Sequence, residues 1–130
     1  MKAKPVANTK TILLVDDSEF VRKSLCQMLE EDGYNVLQAA NGMQGVESAI
    51  QHEPDLIITD IDMPVMNGVE ATRKIRLQLG LSVPIIAISS HPTEYMRSHA
   101  IEAGCTEYLD KPFNLDQLRN LLFELIHQQS

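Results

Sequence analysis

Short apolar runs alternate with amphipathic stretches five times along this chain, and that alternation restricts the fold more than any other feature of the sequence. Thr11 to Val15 (TILLV), Asp55 to Thr59 (DLIIT) and Pro84 to Ile88 (PIIAI) are the strongest runs. Runs without polar alternation belong to strands covered on both faces, the condition of a parallel sheet packed between helices. Asn35 to Ala39 is weaker and predicts an edge strand, and Glu107 to Leu109 a short fifth one. Pro84 suits a first strand position, where its missing N–H is tolerated. The stretches between predict helices. Ser18 can cap one from Glu19 to about Asp32, with Val21, Leu25, Met28 and Leu29 on its apolar face and Gly33 as its stop. Others run from Met43 to Gln51, ended by the approach to Pro54; from Val69 to about Leu79, ended at Gly80; and from Thr93 to Ala103, stopped by Gly104. The last spans Leu115 to His127, with Leu115, Leu118, Leu122 and Leu125 as its main apolar stripe. Strands alternating with helices predict a doubly wound α/β domain with right-handed crossovers.

Chemistry follows four of the five runs: Asp16-Asp17, Asp60, Ser89 and Lys111-Pro112. In a parallel α/β sheet, ligands bind outside the carboxyl ends of the strands. Three carboxylates, a hydroxyl and an ammonium therefore meet at one edge. Clustered carboxylates repel unless a cation offsets them, and Mg²⁺ takes one or two carboxylates while keeping positions for water and phosphate oxygens. The lysine and the hydroxyl suit the remaining oxygens of a phosphoryl group. Taken singly, Asp17-Ser18 could be a helix cap, Asp60 a turn residue and Lys111 a solvated surface lysine. Their conjunction at one sheet edge favours a metal-assisted phosphoryl site.

Composition narrows the alternatives. A chain of 130 residues forms one domain and buries roughly two-thirds of its unfolded-chain surface. Its 44% hydrophobic and 22% charged residues are those of a soluble globular protein. A net charge of -7 argues against nucleic-acid binding, which shows a basic footprint. Cys26 and Cys105 lack CxxC spacing and read as small buried thiols in a reduced, cytoplasmic setting. No apolar stretch approaches the ~20 residues of a membrane span, so membrane insertion is not expected. Residues 1–9 read as a flexible lead-in without a signal-peptide core, and 10–128 as the single folded domain, with no sequence left for an output domain.

The segment around Asp60 reads Leu56-Ile57-Ile58-Thr59-Asp60-Ile61-Asp62-Met63-Pro64-Val65-Met66-Asn67-Gly68. An apolar strand followed by D-x-x-M-P-x-M-[DN]-G, joined to the acidic pair Asp16-Asp17, Ser89 after PIIAI and Lys111-Pro112-Phe113, resembles a two-component response-regulator receiver domain of the single-domain chemotaxis-regulator kind. The resemblance covers Lys10 to about His127. It implies a flavodoxin-like five-stranded parallel sheet of order 2-1-3-4-5 with helices on both faces. It also implies that Asp60 is the phosphoacceptor for a histidine kinase or phosphotransfer protein, forming an aspartyl phosphate. Mg²⁺, with Mn²⁺ as a substitute, would be held by Asp17, Asp60 and the Asp62 backbone carbonyl, with Asp16 acting through water. Lys111 and Ser89 would contact phosphoryl oxygens, and the Lys111-Pro112 peptide is commonly cis in the family.

Further roles follow from the same resemblance. Phosphorylation would draw Ser89 inward and let Tyr108 rotate into the vacated space. Asp62 and His91 occupy the two variable positions that influence phosphoaspartate lifetime. Ser89 stands where threonine is frequent, and Ser90 where a small residue leaves the phosphoryl group room. The expected partner face is that of the fourth helix, fifth strand and last helix: Arg97 and Ile101 share one helical face, Met96, Ala100 and Ala103 face the core, and Tyr108 and Leu121 complete a small apolar patch. It suits a downstream protein or a self-dimer. His52, His99 and His127 read as solvent-facing. Met63 and Met66 shape the loop, and Gly68 serves close packing or a special backbone angle.

Other readings compete. The chain could be the excised receiver of a larger regulator or hybrid kinase. A haloacid-dehalogenase-type phosphatase would use Asp60-Ile61-Asp62 as its D-x-D, but the acidic pair precedes the nucleophile and no cap domain fits. A flavin mononucleotide binder would need a hydroxyl-rich phosphate loop after the first strand, which is missing. A receiver acts only on itself, so no ordinary enzymatic turnover is expected.

Overall fold

A computed structural model describes residues 9–63, 66–79, 82–90, 93–111 and 113–127. Along the chain run β1 (Thr11–Val15), α1 (Glu19–Glu31), β2 (Asn35–Ala39), α2 (Gly42–His52), β3 (Leu56–Asp60), α3 (Gly68–Leu79), β4 (Ile85–Ser89), α4 (Glu94–Ala103), β5 (Glu107–Asp110) and α5 (Leu115–His127). The five strands form one parallel sheet of order β2-β1-β3-β4-β5.

Alternation of side chains along each strand divides the interior in two. Ile12 and Leu14, Leu56 and Ile58, and Ile86 and Ile88 pack with Leu25, Met28 and Leu29 of α1 and Leu118, Leu122 and Ile126 of α5. Leu13 and Val15, Ile57, and Ile85 and Ala87 face the opposite way, onto Ala49 of α2, Val69 and Ile75 of α3, and Ala100 and Ala103 of α4. Both faces of the central strands are therefore dry, as their unbroken apolar runs require. β2 lies at an edge and is only partly buried, matching its weaker pattern.

The boundaries follow local chemistry. Ser18 caps α1 by accepting from the Val21 N–H at 3.3 Å. Gly33 and Gly104 take left-handed backbone, with φ of 98° and 117°, and Gly104 closes α4. Thr93 proves to be the cap of α4 rather than its first residue, accepting from the Met96 N–H. Asp55 lies before β3, because its carboxylate accepts the Thr11 N–H at 2.7 Å. β4 begins one residue after Pro84, whose carbonyl accepts from Ile57. α2 ends at Glu53 in a left-handed conformation. Gly80, proposed as the stop of α3, lies outside the described residues.

The α5 stripe needs correction. Leu115 is 46% exposed, and Ile126 takes its place among the buried residues beside Leu118 and Leu122. The first residue of a helix has no preceding turn to cover it, so helical phase alone does not bury it. His99 is half-buried rather than solvent-facing and lies against Tyr95, with ring centroids 4.3 Å apart.

Candidate functional site

The carboxyl ends of β1, β3, β4 and β5 converge on one edge. Order β2-β1-β3 sends the chain to opposite sides of β1, opening a crevice between the β1 and β3 ends. Asp16 and Asp17 follow β1, and Asp60 is the last residue of β3. One carboxylate oxygen from each lies within 4.8 Å of the other two. Asp16 and Asp60 are buried and Asp17 is exposed, so the cluster has a closed floor and an open side.

Local bonding fixes each member. The Asp16 N–H donates to the Ala39 carbonyl, its carboxylate accepts the Ser18 N–H at 2.8 Å, and its carbonyl accepts from Arg22 Nη1 at 2.7 Å. Asp60 accepts the Asp62 N–H at 3.2 Å. The loop after it folds back tightly, with Ile61 accepting from both Met63 and Gly68. Gly68 there is a matter of space rather than of backbone angle. A Cβ on it would fall 2.3 Å from the Asp60 carbonyl oxygen and 2.9 Å from Ile61 Cα.

Lys111 follows β5 and gives its N–H to the Ser89 carbonyl at 2.7 Å, locking the ends of β4 and β5 together. Its ammonium lies 3.6 Å from Asp16 and 3.6 Å from Asp60, forming a bridge between the two buried carboxylates. Burial nevertheless pushes the Asp60 carboxyl up to about 6; the Lys111 charge opposes the shift, while the negative charge of Asp16 adds to it. A carboxylate so placed gains strongly from a second cation, and an all-oxygen donor set suits a hard one.

The structure thus brings together Asp16, Asp17, Asp60, Ser89 and Lys111 as their positions predict. It also adds a contact that the sequence reading missed. The Asp62 side chain turns toward β4, where Oδ2 accepts from the Ser89 hydroxyl at 3.1 Å, the Ser90 N–H at 3.3 Å and the Ser90 hydroxyl at 3.4 Å. The signal lay in the pairing of β3 with β4. Asp60 is in register with Ile88, so two residues further Asp62 comes beside Ser90. His91 and Pro112 lie outside the described residues.

On the far side of β5, Arg97, Tyr108, Leu121, Glu107, Asp110 and Glu124 border a groove of about 610 Å³. The Arg97 guanidinium lies 5.6 Å from the Tyr108 ring centroid. Tyr108 is buried, at 6% exposure, and its hydroxyl has no hydrogen-bond partner among the described residues. Ile101 is exposed on α4 but borders a neighbouring depression rather than this groove. Met96 is half-buried against the core, and Ala100 and Ala103 are buried, as expected. Both cysteines are buried and neither is in a disulfide.

Comparison with known proteins gives consistent matches. The family described as "Response regulator receiver domain" matches residues 12–123. The chemotaxis protein CheY of Halobacterium salinarum is 36% identical over 117 residues, covering 90% of this chain and 97% of that protein. CheY of Bacillus subtilis is 38% identical over 108 residues, covering 82% and 89% respectively. Among solved structures, the receiver domain of the sensor histidine kinase PA1611 from Pseudomonas aeruginosa superposes with a TM-score of 0.85 at 38% identity. The match covers 92% of this chain and 98% of that one, and that receiver holds a magnesium ion in its active site cleft.

Proposed function

The chain belongs to the response-regulator receiver-domain family, and from that premise we propose that it is a phosphorylation-dependent switch in which Asp60 takes a phosphoryl group from a histidine kinase or phosphotransfer protein. One observation carries the assignment: a buried carboxylate at the end of β3, bridged to Asp16 by Lys111 and within 4.8 Å of two further acidic oxygens. An Asp60 oxygen forms the new bond to phosphorus as the bond from phosphorus to the donor nitrogen breaks. Lys111 would offset charge on a phosphoryl oxygen, and the Ser89 hydroxyl would donate to another.

The donor set fits Mg²⁺, with Mn²⁺ as a substitute. Asp17 and Asp60 would hold the ion with the Asp62 carbonyl, and Asp16 through water. When bound, the ion neutralises carboxylate repulsion and the charge of the transferring group. A receiver undergoes its own phosphorylation and dephosphorylation rather than turning over a substrate, so selectivity lies in its partners. We assign output to the groove beside Tyr108, with Arg97, Leu121 and the adjoining Ile101 as contacts for a downstream protein or second copy. Among the described residues no helix is long and apolar enough to cross a membrane. The likeness to the receiver of a sensor histidine kinase also supports a second setting, a receiver within a larger regulator, with the same chemistry.

Incubation with Mg²⁺ and acetyl phosphate tests the assignment by intact mass. One added phosphoryl group is expected on the wild-type chain and none on Asp60→Asn. A label that survives in the variant would move the acceptor elsewhere.

A further inference from the structure

The Ser89 hydroxyl has one proton to donate. Here it is given to Asp62 Oδ2, at 3.1 Å, and the same oxygen gathers the Ser90 N–H and hydroxyl. One carboxylate oxygen thus holds the turn that leaves β4. A phosphoryl group on Asp60 needs that same proton, and the two acceptors cannot share it. Asp62 belongs to the loop after β3 and Ser89 to the end of β4, and the pairing of Asp60 with Ile88 holds the two segments in register.

We propose that Asp62 is the resting-state latch of Ser89, a positioning residue that holds the switch hydroxyl on its own carboxylate until a phosphoryl group on Asp60 outcompetes it. Hydrogen bonds to charged acceptors are stronger than neutral ones, so the exchange replaces one strong bond by another. The latch therefore subtracts from the free energy with which phosphorylation drives the change. By population shift, whatever holds the protein out of the competent state raises the apparent dissociation constant by the same factor. Asp62 would also repel a phosphoryl dianion directly, through charge and without Ser89. The two effects separate in a double-mutant cycle, because only the latch requires the hydroxyl.

The inference rests on Asp60 as acceptor, so the probe is beryllofluoride with Mg²⁺, a phosphoryl mimic that needs no donor protein. Its affinity is measured at pH 7.5 on the full chain by NMR titration. Asp62→Ala is expected to tighten binding about tenfold, the loss of one charge-assisted bond, and Asp62→Asn, which keeps a weaker acceptor, about threefold. In a Ser89→Ala background the gain from Asp62→Ala should fall below about twofold. The Ser90 amide resonance should move in Asp62→Ala without added probe, and in the same direction in the saturated wild type. Equal gains in both backgrounds would assign Asp62 to charge repulsion alone and overturn the latch, as would no gain in Asp62→Ala. Failure of the wild-type chain to bind the probe would instead overturn the acceptor assignment, and the latch with it.

Discussion

Asp60→Asn should stabilise the metal-free protein at neutral pH while abolishing its chemistry. The Asp60 carboxyl is raised from 3.8 to about 6, chiefly by burial. A group with a raised folded-state pKa favours the fold fully below its unfolded value and loses that contribution as pH rises through the folded value. The wild-type chain should therefore lose stability between about pH 4 and pH 6 on account of this residue, and stay at the lower level above that range. One power of ten in proton affinity is about 1.4 kcal/mol, so the full effect is about 3 kcal/mol. Water at the open side of the cleft screens part of it, leaving about 1–2 kcal/mol. Asparagine keeps the shape and the acceptor for the Asp62 N–H but carries no charge. In chelator at pH 7.5, urea unfolding should place the variant's midpoint about 0.5–1 M above wild type. The two curves should converge below pH 4. Saturating Mg²⁺ should reverse the order, since a ligand at a hundredfold its Kd adds about 2.7 kcal/mol to the chain that binds it. A variant less stable than wild type in chelator, or a difference independent of pH, would refute burial as the source of the shift.

Other consequences can be measured separately. Asp17→Ala should weaken Mg²⁺ binding more than Asp16→Ala in parallel titrations, because direct ligation is stronger than ligation through water; equal losses would reject the proposed ligand roles. Gly68→Ala should destabilise the fold by about 1–3 kcal/mol and suppress labelling of Asp60, because its Cβ meets backbone that no side-chain rotation can relieve. The Cys105 thiol, pushed up to about 11 mainly by burial, should resist alkylation at pH 8 in the native chain and react on unfolding. Ile101→Asp should abolish phosphorylation-dependent association in sedimentation experiments without changing the labelling of Asp60.

Five strands and five helices were legible in the sequence because the two periods differ and because Ser18, Gly33 and Gly104 punctuate them chemically. The meeting of Asp16, Asp17, Asp60, Ser89 and Lys111 was legible too, since each ends or follows a strand and parallel strands end on one edge. Local pattern does not carry the distances across that edge. Phase put Leu115 on the apolar face of α5, but as the first residue of the helix it stays about half exposed. Gly68 was ambiguous until the return of the loop onto the Asp60 carbonyl made it a question of space. The burial of Tyr108 depends on the packing of α4 against β5, and Arg97 reaches its ring from that helix. The bond from Ser89 to Asp62 is the clearest case. It joins the loop after β3 to the end of β4, 27 positions apart, through the register of the two strands, and only tertiary pairing sets that register. Residue types and periods thus determined the elements and their chemistry, which depend on neighbours in sequence. Burial at element ends and the acceptor of each proton were decided by groups far along the chain, brought near by the sheet.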